Sequence, residues 1–83
     1  MKIYMFVAGD GEAARRLVQE ASERSLDIQN HVGDTPESIQ LRQNYDITTR
    51  PAVLVTLDDG SYVRMWQGNL PTIAELVYAV QGR

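Results

Sequence analysis

Tyr45-Asp46-Ile47-Thr48-Thr49-Arg50-Pro51-Ala52-Val53-Leu54-Val55 is the stretch that decides the fold. A polar loop ends on a proline, and an apolar run starts at the next residue. Residues 52–57 are apolar on both faces, the pattern of a central strand covered on two sides. Asp58-Asp59-Gly60 follows, a strong hairpin signal. Ser61 to Gln67 then reads as a fourth strand. Its alternation sets Tyr62, Arg64 and Trp66 on one face, apart from Val63 and Met65, and Gly68-Asn69 ends it. Pro71-Thr72 opens a last helix, in which Thr72 and Glu75 have the spacing of a capping box. Ile73, Leu76, Val77 and Val80 form its buried stripe, with Tyr78 between them partly exposed.

Upstream, residues 2–8 are again apolar on both faces and predict a central first strand. Gly9 and Gly11 break it, Asp10 is the expected N-cap, and Glu12 sits in the first helical turn. From Glu12 to Arg24 the apolar positions Ala13, Ala14, Leu17, Val18 and Ala21 recur at helical spacing. Glu12–Arg16 and Glu20–Arg24 are i,i+4 pairs in the favourable order. Residues 26–32 alternate apolar with polar, as a half-buried strand at or near an edge does. Gly33-Asp34 turns the chain. Thr35 caps a second helix with Pro36 at its first position, ending near Asn44, with Ile39, Leu41 and Tyr45 as its apolar residues. Tyr4, Phe6 and Tyr45 are expected in the core.

The resulting order is β-α-β-α-β-β-α in one domain, residues 1–83. The economical arrangement is an α/β fold, a four-stranded mixed sheet with helices on both faces. The first two strands are parallel through a right-handed crossover, and the last two form a hairpin.

Composition narrows the chemistry. The chain has no cysteine and one histidine, His31. Thiol redox chemistry and a zinc site of nitrogen and sulfur ligands are therefore excluded, and no cofactor is expected. Net charge is −3, and the eight basic residues are scattered, so no nucleic-acid partner is expected. No apolar run approaches the roughly 18 residues of a membrane span, so no membrane partner is expected either. The apolar start reads as a strand rather than a signal peptide, because its apolar part is short and a helix follows. A cytoplasmic location is the default expectation.

The element order, with a proline at the mouth of the third strand, resembles the thioredoxin/glutaredoxin fold over nearly the whole chain. Residues 45–55 look like the family segment running from the second helix to the cis-proline. Asp59-Gly60 and Trp66-Gln67-Gly68 look like its hairpin and closing glycine. Ala8-Gly9-Asp10-Gly11 lies where the family carries Cys-x-x-Cys, and reads as a vestigial active-site loop. The resemblance implies a cis peptide before Pro51 and a shallow groove flanked by Arg50, beside which the family's backbone pairs with extended peptide or glutathione. It implies no thiol chemistry, because neither cysteine is present. Tyr4-Met5-Phe6-Val7-Ala8-Gly9 is also similar to the start of KaiB-like domains, which are redox-inactive partner binders. The later hairpin, from Leu57 to Val63, is of the thioredoxin type.

Several local features have bland readings that outweigh functional ones. Asp10 and Glu12 would repel an anion at the Gly9–Gly11 turn, so capping is preferred. His31 lies on the polar side of its strand and is expected to be solvated. Asp58 and Asp59 belong to a turn. The candidates for partner contact are Arg50, Pro51, Tyr62, Arg64, Trp66 and Gly68, since arginine and aromatic residues are enriched at interface hot spots. The sequence thus predicts a redox-inactive binding or regulatory module that holds a protein segment. The alternatives are a KaiB-like partner-binding or homo-oligomerising domain and a non-reactive binder of glutathione or a small thiol.

Overall fold

The computed structural model describes residues 1–9 and 11–82. The elements are β1 (Lys2–Val7), α1 (Glu12–Glu23), β2 (Ile28–Val32), α2 (Pro36–Asn44), β3 (Ala52–Thr56), β4 (Tyr62–Gln67) and α3 (Ile73–Gln81). The sheet order is β2-β1-β3-β4. β1 and β2 are parallel, while β1–β3 and β3–β4 are antiparallel. The two strands that read as apolar on both faces, β1 and β3, are the central pair, and the strand with alternating polarity, β2, is an edge.

The two sheet faces carry separate cores. On one, Ile3, Met5, Val7, Val53 and Val55 pack with Ala14, Leu17 and Ala21 of α1 and Leu76 of α3. On the other, Phe6, Ala52 and Leu54 pack with Ile47, Leu41 and Tyr45. Alternate side chains of one strand therefore serve two different cores. Thr35 accepts a hydrogen bond from the Ser38 N–H at 3.1 Å, and the Thr72–Glu75 capping box is closed in both directions.

Five local expectations are revised. The N-cap of α1 is Gly11, in extended conformation and without a side-chain cap bond; Asp10 lies outside the described residues. The Glu20–Arg24 ion pair is replaced by a bond from Arg24 Nη1 to the Glu20 carbonyl at 3.2 Å, whereas Glu12–Arg16 pairs at 3.6 Å. β2 begins at Ile28 rather than Leu26, because the Leu26 N–H is claimed by the Ala21 carbonyl and closes α1. Ile39 is exposed; Ser38, fully buried, faces inward instead.

The fifth revision concerns β4. A bulge pairs Val55 with Arg64 but Thr56 with Tyr62, so one residue of β4 is unmatched. The alternation breaks there. Val63 and Trp66 pack against the α1–α3 core, while Tyr62 remains 59% exposed. Tyr62, Arg64 and Trp66 do not form one aligned row.

Leu54, fully buried in the α2-side core, should cost about 2–5 kcal/mol when replaced by alanine; urea denaturation measures this. Thr72→Ala should cost about 1 kcal/mol through loss of the α3 cap. The Thr72 backbone N–H, the Thr72 side chain and the charge of Arg64 hold the Glu75 carboxyl below its ordinary value of 4.5. A carboxyl lowered in the folded state contributes stability above its unfolded value, and that contribution is lost as pH falls through the lowered one. Between about pH 5 and pH 3, Glu75→Gln should therefore show a smaller fall in melting temperature than the parent chain.

Candidate functional site

The chain leaves β1 at Val7 and enters α1 past two glycines. An ideal Cβ at Gly9 or Gly11 would meet nothing within 4 Å, so both glycines face open space. Opposite it, the Arg50–Pro51 peptide is cis. Between them lies a groove of about 230 Å³ lined by Val7, Ala8, Gly9, Ala13, Pro51 and Leu70, together with Gly11, Ala14 and Arg50. Apart from Arg50, these side chains are apolar or absent.

The loop carrying Arg50 is held from three directions. The Ile47 N–H donates to the Arg42 carbonyl at 2.8 Å, and Ile47 is buried in the α2-side core. Gln67 Oε1 accepts from two successive backbone donors, Thr48 N–H at 3.0 Å and Thr49 N–H at 3.2 Å. The Gly68 N–H donates to the Pro51 carbonyl at 2.9 Å. Gly68 has φ +89, the left-handed region that glycine adopts without a Cβ penalty. The last two residues around the end of β4 therefore clamp the chain on both sides of Arg50.

The Arg50 side chain turns to Asp34, with Nη1 at 3.1 Å from Oδ1. The same oxygen accepts from Arg42 Nη2 at 2.6 Å. Arg42 is anchored through Nε to Ser38 Oγ at 3.3 Å. One carboxylate thus holds two guanidiniums. On the far side of this cluster is a wider open depression of about 510 Å³, lined by Asp34, Ile39, Arg42, Asp46, Ile47 and Thr48, with Gln43.

The partner-contact candidates fall into two places. Arg50, Pro51, Ala8, Gly9 and Gly11 meet at the groove, and Gly68 supports it from behind. Tyr62 and Arg64 lie elsewhere, lining a depression of about 280 Å³ with Val63, Tyr78, Ala79 and Gly82. Trp66 joins neither as an open surface. It is half-buried against the core, and the Arg64 guanidinium stacks 4.9 Å from its ring centre.

His31 is not a solvated side chain. Its ring stacks on Phe6 at 5.4 Å, and Nε2 is buried without a hydrogen-bond partner. Asp59 accepts from the Ser61 N–H of its own turn at 2.9 Å, which lowers its carboxyl pKa. Among the described residues, no three His, Asp or Glu side chains gather to hold a metal ion, and none of the helices is long and apolar enough to cross a membrane.

Sequence reasoning missed Asp34, Arg42, Gln67 and Leu70. Asp34 had a turn signal alone. Gln67 is a strand-end glutamine 18 and 19 positions from its two partners, a separation that no periodicity reports.

No family model matches the chain, and no curated protein matches it. Among solved structures, it is similar to thioredoxin 1 from the thermophilic eubacterium Thermosipho africanus TCF52B. That match has a TM-score of 0.66 and 21% identity, covering 99% of this chain and 92% of the other. The fold is thioredoxin-like. With no cysteine in the sequence, the chain has no thiolate for thiol–disulfide exchange.

Gln67→Leu removes the acceptor of two backbone donors. It should lower stability by about 0.5–1.5 kcal/mol, since both bonds are exposed, and speed hydrogen exchange at the Thr48 and Thr49 amides. Gln67→Glu keeps an acceptor oxygen and should restore most of their protection.

Proposed function

We propose that this chain is a non-catalytic binding module that holds an extended protein segment in the groove beside Pro51. One observation carries the reading. Among the described residues, the groove between Gly9, Gly11 and Arg50–Pro51 is open and, apart from Arg50, apolar, and its loop is clamped, while no cysteine is present to react with what enters it. About 230 Å³ is room for roughly eight waters at about 30 Å³ each, and displacing them from apolar walls favours an apolar side chain.

The backbone supports the same reading. Among the described residues, the Arg50 N–H and carbonyl make no backbone hydrogen bond. An extended segment lying along the loop can pair with them, as peptides do when they add to an exposed strand edge. Side chains entering the groove would then provide selectivity. A small thiol such as glutathione is less well served, because the Arg50 guanidinium that would meet its carboxylate already has Asp34.

The test is selection of displayed random decapeptides on the immobilised chain, followed by amide chemical-shift mapping of an enriched peptide. Shifts should concentrate at Val7–Gly9, Gly11 and Arg50. Gly9→Leu, whose Cβ enters open space, should weaken binding at least about tenfold, equivalent to 1.4 kcal/mol, at unchanged melting temperature. Enriched peptides that shift residues of α3 or β4 instead would refute the groove as the site.

A further inference from the structure

We infer that Asp34 sets the charge selectivity of the groove, so that the segment held there is uncharged where it passes Arg50. This inference rests on the groove reading above.

Arg42 and Arg50 both reach Asp34 Oδ1, at 2.6 and 3.1 Å. Arg42 cannot easily leave, because Ser38 Oγ holds its Nε and Ser38 is fully buried. Arg50 comes from the other side, on the loop clamped by Gln67 and Gly68. Asp34 joins the two, and its side chain is 61% exposed while those of Arg42 and Arg50 are 17% and 27% exposed. It therefore occupies the place that a carboxylate of an incoming segment would take. A guanidinium is drawn to a carboxylate, and here each of the two already gives one bond to the same oxygen of an internal one.

An acidic segment must then either displace Asp34, leaving that carboxylate without its partners, or share the two guanidiniums with it. A basic segment meets the guanidiniums. A neutral apolar segment meets neither cost, and the apolar lining of Val7, Ala8, Ala13, Pro51 and Leu70 suits it.

The formal charge of the three-residue cluster can be stepped by single substitutions that leave the groove walls untouched. Counting Asp34, Arg42 and Arg50, it is +1 in the parent chain. Arg42→Gln makes it zero, and Asp34→Asn makes it +2. Asparagine keeps an oxygen acceptor for both guanidiniums, so the fold is retained, and a melting curve checks this for each variant.

Random decapeptides displayed on phage, panned in parallel on the three chains, are the probe. The frequency of Asp and Glu among enriched peptides should rise in the order Arg42→Gln, parent, Asp34→Asn. One synthetic enriched peptide, carrying Gln or Glu at the position nearest Arg50, gives affinities. The Glu form should gain roughly three- to fivefold relative to the Gln form on going from parent to Asp34→Asn, the size of one exposed charge pair. About 1 M salt should abolish that gain by screening. Enrichment with the same acidic frequency on all three chains overturns the role of Asp34 and leaves the groove reading standing. No enrichment on any of them overturns both.

Discussion

The whole structure depends on the double burial of β3. All five of its residues, Ala52 to Thr56, are buried. β1 and β4 pair with it on either edge, and separate cores cover its two faces. A strand so placed has no freedom in register, since a slip of one residue would send Val53 and Val55 into the opposite core. Pro51 sits directly before it. The location of the cis peptide is thereby fixed by the most constrained strand of the sheet.

The groove inherits that rigidity. One wall is the exit of β1, which pairs with β3. The other is the loop before β3, fastened by Gln67 and Gly68 at the exit of β4. Three adjacent strands of one sheet therefore set its width. The charged cluster at its margin is of a different kind. Its members come from the β2–α2 turn, from α2 and from the loop, and they meet through side chains alone. Such an exposed cluster contributes little to stability, which leaves its charge free to act on what approaches.

The surface about Tyr62, Arg64 and Tyr78 belongs to another part of the molecule. The bulge in β4 turns Val63 to the core beside Trp66, which is in register with Val53, and leaves Tyr62 outside. Tyr78, 71% exposed, lies beside Tyr62 and Arg64 through the packing of α3. The fold thus separates the aromatic residues of β4 from the Arg50–Pro51 groove, although the two are close in sequence.

Apolar runs on both faces of β1 and β3, the alternation of β2, the Asp59-Gly60 turn and the Thr72–Glu75 box made the element order, the central strands and the edge legible in the sequence. Those are local signals, and each reports on its own segment. The absence of cysteine likewise excluded thiol chemistry without a structure. The Leu26 N–H bond that delays β2, the bulge that turns Tyr62 out and the stacking of His31 on Phe6 were not legible, because each depends on a neighbour supplied by another segment or a shift between strands. The same holds for the site. Arg50, Pro51 and the Gly9–Gly11 turn could be named from the sequence, but Asp34, Arg42 and Gln67 could not. Their partners lie 8 to 19 positions away, and the packing of the sheet and α2 brings them together. The sequence by itself determined which segments are buried and which chemistry is missing. Tertiary structure alone decided which charges face one another, because side-chain pairing across elements depends on distances that no local pattern encodes.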